Sequence, residues 1–148
     1  MRHFKLGWLA IGLVWCAACS RPPKPPDAAA LEASASAKLQ NIPAADAEKY
    51  RNLKGMKNWR NPYLTVLPEG IGLLDPADSE QKLLKPEEVL PALAAMPASA
   101  WPYGRVVALV EDPGSTTQEQ HMAILRNKGI VAGTLEQAHV AIQFVPSE

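Results

Sequence analysis

From residue 63 onward the apolar positions fall into short blocks separated by turn residues, and each block has a readable period. Tyr63-Leu64-Thr65-Val66-Leu67 reads as a strand, Pro68-Glu69-Gly70 as a turn, and Ile71-Gly72-Leu73-Leu74-Asp75 as the returning strand of a hairpin. The polar stretch 76–81 predicts a loop. Lys85-Pro86-Glu87-Glu88 opens a helix with proline in the first turn and acids facing the dipole. Val89, Leu90, Leu93 and Met96 give that helix an apolar side, Pro91 bends or shortens it, and Pro97 ends it. Trp101-Pro102-Tyr103-Gly104 is a turn into Val106-Val107-Ala108-Leu109-Val110, a continuous apolar run that suits a strand covered on both faces or packed against helices. After the break at Glu111-Asp112-Pro113-Gly114, Ser115, Thr116 or Thr117 caps a helix, with Glu119 placed for a capping box on Thr116. Lys128 sits in its last turn and Gly129 supplies a left-handed stop. Residues 130–138 read as a short strand or a loop, and 140–145 as the last strand. The expected fold is α+β: a small mixed sheet of about four strands (hairpin, helix, strand, helix, strand) with two helices on one face.

The first third of the chain has a different texture. Residues 19–43 read as a Pro/Ala-rich tether. Its opening, Ser20-Arg21-Pro22-Pro23-Lys24-Pro25-Pro26, favours extended polyproline II. Residues 27–41 have the caps of a helix in Asp27 and Asn41, but only Leu31 and Leu39 to anchor it, so this stretch is expected to be mostly disordered or transiently helical. Residues 44–58 predict a basic helical connector, with Pro43 before it, Gly55 near its end, and Tyr50, Leu53 and Met56 available for docking. The folded unit is then 59–148, enough for one small core.

At the extreme amino terminus the period disappears. Arg2, His3 and Lys5 precede thirteen unbroken apolar residues, 6–18, and the run Cys16-Ala17-Ala18-Cys19-Ser20 follows. Thirteen residues at 1.5 Å rise reach only about 20 Å against a hydrocarbon core of about 30 Å, so the run describes a signal-peptide core and not a spanning helix. This pattern resembles the lipobox of bacterial lipoproteins, with Cys16 standing where that family usually has leucine. The resemblance implies cleavage after residue 18 and a diacylglycerol on the thiol of Cys19. It also implies, because Ser20 is not aspartate, a lipid-anchored place at the outer membrane facing the periplasm. Cys16 would be discarded with the leader, leaving no thiol free for a disulfide or a metal.

Charge sharpens the division. Residues 20–61 carry eight basic and four acidic side chains, net +4, and residues 62–148 carry five basic and eleven acidic, net −6. A basic tether is thus set apart from an acidic folded unit. The element order of that unit resembles the small periplasmic domain of the ExbD/TolR family, as does the run Pro102-Tyr103-Gly104-Arg105-Val106-Val107. In that family the run tends to open a helix, whereas here it leads into a strand. The family's transmembrane helix with its proton-handling aspartate has no counterpart, so the resemblance implies a fold and no stator role.

Few residues offer chemistry. Glu111, Asp112, Ser115 and Thr116 sit where the best strand meets a helix amino terminus, an edge at which α/β sheets often bind ligands. Ordinary turn and cap chemistry is the competing reading. The Gly114-Ser115-Thr116-Thr117 run is too short for a phosphate-binding loop and lacks its lysine, and no serine sits in a nucleophile elbow. His121 and His139 have no metal-ligand spacing, so neither a metal nor another cofactor is expected. The basic-aromatic stretch 49–60, ending in Trp59 and Arg60, suits anionic lipid head groups or cell-wall polymers better than nucleic acid; the competing reading is a solvated helix joining tether to domain, with Trp59, Trp101 and Tyr103 covering the core edge. The sequence therefore favours a non-enzymatic envelope lipoprotein whose domain binds a protein or cell-wall partner. The alternative is a small envelope hydrolase using Glu111, Asp112 and His121.

Overall fold

The computed structural model describes residues 27–53, 58–76, 80–114 and 116–144. The leader, the proline-rich stretch, Cys19, the 54–57 segment and Ser115 lie outside them. Five strands form one mixed sheet: β1 (Tyr63–Leu67), β2 (Gly70–Leu74), β3 (Gln81–Leu84), β4 (Val106–Glu111) and β5 (Ala141–Phe144), in the order β3-β2-β1-β4-β5. β1, β2 and β3 are antiparallel neighbours, whereas β4 runs parallel to both β1 and β5. The fold is α+β, as the apolar pattern predicts, with one more strand than expected.

Strand alternation divides the sheet into two unlike faces. Leu64, Val66, Ile71, Leu73, Leu84, Val107 and Leu109 point to one side and are buried there among three helices. These are α1 (Ala28–Leu39), α2 (Val89–Ala95) and α3 (Gln118–Gln137). β4 lies between its two parallel neighbours, and Val106 through Val110 are all buried. Its unbroken apolar run therefore has the cause inferred from sequence, cover on both faces.

Four expectations need correcting, each for a physical reason. Residues 28–39 form a regular helix: Leu39 is fully buried and Ala35 nearly so, while Leu31 stays exposed. Its small side chains let it lie close to α2, and polar groups hold its end. Arg105 Nη1 donates to Leu39 O at 3.1 Å and to Gln40 Oε1 at 2.8 Å, and Gln40 Nε2 donates to Ala138 O at 3.0 Å. A cation on the last carbonyls also complements the helix dipole. Residues 44–53 form no α-helix. A single 3₁₀ turn at Ala47–Lys49 follows a parallel bridge from Ala44 to Arg105, and Asp46 N–H donates to Tyr103 O.

The expected count of about four strands rises to five through β3, which takes only Gln81 from the loop expected at 76–81; it is an edge strand that buries only Leu84 and so shows no alternation in sequence. Finally, α3 does not stop at Gly129 but runs on to Gln137. Continuing buries Val131 and Leu135 completely, worth about 1.5–3 kcal/mol each, against about 1 kcal/mol for a helical glycine. Its cap is Thr117 with Gln120, not Thr116 with Glu119. The left-handed residue is His139, at φ 55°, two beyond the helix end and just before β5 rather than opening it.

Pro91 is tolerated in α2 because it falls in the first turn, where no intrahelical acceptor awaits its missing N–H. A 3₁₀ turn at Pro86–Glu88 leads into that helix.

Two stability measurements test this packing. Leu39→Ala should cost about 2–5 kcal/mol in denaturant unfolding, and Leu31→Ala less than about 0.5 kcal/mol. Gly129→Ala and Gly133→Ala add a methyl where nothing lies within 4 Å. Each should stabilise the chain by about 0.5–1 kcal/mol, read as a raised denaturation midpoint.

Candidate functional site

Among the described residues no α-helix lies on the second face of the sheet, and over Val106 and Ala108 it is covered by rings. Trp59 and Tyr103 meet edge to face with centroids 5.3 Å apart, and Tyr50 contacts both, at 5.7 Å from Trp59 and 6.2 Å from Tyr103. Ala45, Leu53, Tyr63 and Ala141 complete the cluster. Trp59 is 8% exposed and Tyr103 9%, too little for either ring to stack on a ligand. Their polar atoms are also engaged: Trp59 Nε1 donates to Pro62 O at 3.2 Å, and the Tyr103 hydroxyl to Asn58 O at 3.0 Å. Burial holds the Tyr63 phenol above its ordinary pKa, with a Thr65 hydrogen bond pulling the other way.

Under these rings lies Asn61, the one fully buried polar side chain among the described residues. Its Nδ2 donates to Gly104 O and Val106 O, both at 2.7 Å, and its Oδ1 accepts from Tyr103 N–H at 2.9 Å. Asn61 thus clamps the turn that feeds β4. No sequence pattern marks it, because a lone Asn in a turn-rich stretch is ordinary.

The basic character of the 49–60 stretch is partly neutralised. Lys49 pairs with Asp46 at 3.6 Å and Arg51 with Glu48 at 2.9 Å, all on exposed side chains. Arg60 is exposed, one residue from the buried Trp59. Trp59 thus covers the core, as the competing reading has it, while Arg60 faces solvent, so the two are not brought to one exposed surface.

At the far end of β4 the polar residues do gather, but around backbone and cap. The Glu111 carboxylate accepts a hydrogen bond from Lys128 Nζ at 2.5 Å, and that ammonium lies 5.2 Å from the Phe144 ring centroid. Asp112 Oδ1 accepts from Gly114 N–H at 3.1 Å, the usual side-chain closure of a turn. Thr117 Oγ1 accepts from Gln120 N–H, and Gln120 Oε1 accepts from the N–H groups of Thr116 and Thr117. The capping box thereby occupies donors that an incoming anion would need. His121 is exposed on α3. Among the described residues no hydrogen bond joins Glu111, Asp112 and His121 to one another. None of these residues forms a group of three or more His, Cys, Asp or Glu side chains suited to a metal ion.

No family model, no curated protein and no solved structure matches the chain.

Removing the clamp is the sharpest test of this region. Asn61→Ala leaves the Val106 carbonyl and the Tyr103 N–H without the partner that Asn61 supplies, at roughly 1–3 kcal/mol per buried group, while Gly104 O keeps only the Val106 N–H. The expected loss is about 3 kcal/mol or more in denaturant unfolding, with altered tryptophan fluorescence as Trp59 loses its packing. Asn61→Asp, which turns an acceptor toward both carbonyls, should be no better tolerated.

Proposed function

We propose that this chain is an envelope lipoprotein, anchored through a lipid on Cys19, whose α+β domain is a non-enzymatic module that binds a partner near the membrane. The observation that carries this reading is the amino-terminal run: Arg2 and Lys5, thirteen apolar residues, then Cys16-Ala17-Ala18-Cys19-Ser20. A water-soluble domain with a diacylated cysteine is held stably at a bilayer, where one chain alone is marginal. Ser20, in place of aspartate, favours the outer membrane, with the domain facing the periplasm.

The docking of α1 bears on where such a partner must lie. Only residues 20–27 separate Cys19 from the first helical residue, Ala28. Eight residues span at most about 28 Å when fully extended. The domain then works close to its own membrane, within reach of integral envelope proteins or of cell-wall polymer near that surface. Arg21 and Lys24 in the short link would favour anionic head groups.

Binding is favoured over hydrolysis by the way the β4 carboxylates are employed. Glu111 is neutralised by Lys128, and Asp112 closes a turn. A hydrolase would need these groups directed at a substrate together with a base.

Mass spectrometry of the protein from membrane fractions should find an amino terminus at Cys19 carrying the mass of an acylated diacylglycerol thioether. Cys19→Ala should keep its leader and show no lipid mass. A membrane-derived polypeptide beginning at Met1 with an unmodified Cys19 overturns the anchor. Separately, a hydrolytic activity abolished by Asp112→Asn would overturn the non-enzymatic reading, and recovery of a defined envelope partner with the wild-type chain would support it.

A further inference from the structure

We propose that the outer edge of β5 is a self-association site, at which a second copy of this chain adds its own β5 antiparallel across a two-fold axis. β5 ends the sheet order, and among the described residues no strand pairs with its outer side. Its register with β4 sets Ala141 opposite Val106 and Phe144 opposite Leu109, and Ala141 N–H donates to Arg105 O. In a parallel pair, alternate residues direct both backbone groups to the neighbour. Ala141 and Gln143 are therefore spent on β4, while Ile142 and Phe144 turn their N–H and C=O outward, where the Phe144 carbonyl accepts at 3.3 Å from the exposed Gln143 side-chain amide, a contact that an added strand would replace.

The two edges of this sheet are guarded differently. β3 carries Lys82 within its four residues, a charge of the kind that discourages edge pairing. β5 reads Ala-Ile-Gln-Phe, with neither charge nor proline. Beside it the surface is apolar: Phe144 is 53% exposed and Leu125 44%. Leu125 is three residues before Lys128, on the side of α3 that reaches Phe144.

A second copy fits this edge because the pairing is reciprocal. With the two-fold axis at Gln143, Ile142 of each chain faces Phe144 of the other, and both are the residues with outward backbone groups. That register makes hydrogen-bonded pairs of Ile142 and Phe144 and places aliphatic against aromatic side chains on the helix-bearing face. Gln143 meets Gln143 of the second copy as a close non-hydrogen-bonded pair, with Cα atoms about 4.5 Å apart. Charge does not oppose the contact, since Lys128 and Glu111 already neutralise each other at this edge.

The test uses the full chain in detergent solution with Cys16→Ser and Cys19→Ser, so that an introduced thiol is the only one. It is therefore independent of whether Cys19 is lipidated. Gln143→Cys should form a reducible covalent dimer under mild oxidation, since about 4.5 Å between Cα atoms is within disulfide reach. Leu83→Cys, also exposed, on the β3 edge, should remain monomeric. In sedimentation equilibrium of the chain without either thiol, Phe144→Lys should raise the dimer dissociation constant about tenfold or more, with the circular dichroism spectrum unchanged. The proposal is overturned by failure of Gln143→Cys to cross-link, by equal cross-linking at Leu83→Cys, by a monomer at all concentrations, or by a dimer indifferent to Phe144→Lys.

Discussion

The turn from Tyr103 to Val106, held by the buried amide of Asn61, is the constraint on which the rest of the structure depends. Gly104 adopts φ 78° there and lies so close to Ala44 that a Cβ would sit 2.2 Å from that residue's carbonyl oxygen. Only glycine meets both conditions. Arg105, next in line, donates to Leu39 O and Gln40 Oε1 at the end of α1 and to His139 O just before β5. Two segments far apart in the chain thus converge on one residue just before β4. If that turn were displaced, β4 would lose its register, α1 its carboxyl-terminal partner and β5 its point of departure.

From this junction the two faces of the sheet follow. One is built conventionally, with three helices burying aliphatic side chains against five strands. The other is closed over Val106 and Ala108 by rings and by the 44–53 segment, with no α-helix among the described residues. This explains why the most conspicuous aromatic residues are not a ligand platform: the second face needs apolar cover, and Trp59, Tyr103 and Tyr50 supply it. The neighbouring cations are left to solvent or to local ion pairs of small energetic weight.

The same economy governs the polar end of β4. Its loop must turn sharply into α3, and that turn consumes Asp112, while the α3 cap consumes Thr117 and Gln120. Glu111 points to the helix-bearing side and meets Lys128, which in turn lies over Phe144. Among the described residues, the backbone groups left open lie at a sheet edge and not at the polar end of β4.

The amino-acid sequence by itself determined the strands β1, β2, β4 and β5, the α2 and α3 starts, and the run ending in Cys19, because each rests on local periodicity or on residues adjacent in the chain. Tertiary structure alone decided the rest. Residues 28–39 are alanine-rich with two leucines, and they become a docked helix because Ala35 and Leu39 enter the core and because Arg105 and Ala138 receive its end. Gly129 is a helix stop in isolation, but the buried sites waiting for Val131 and Leu135 outweigh its preference. β3 shows no alternation, since an edge strand with one buried residue needs none. Asn61 and Arg105 are commonplace residues in sequence. They act through backbone groups about forty to sixty-five positions away, and such distances are set by folding, not by spacing along the chain.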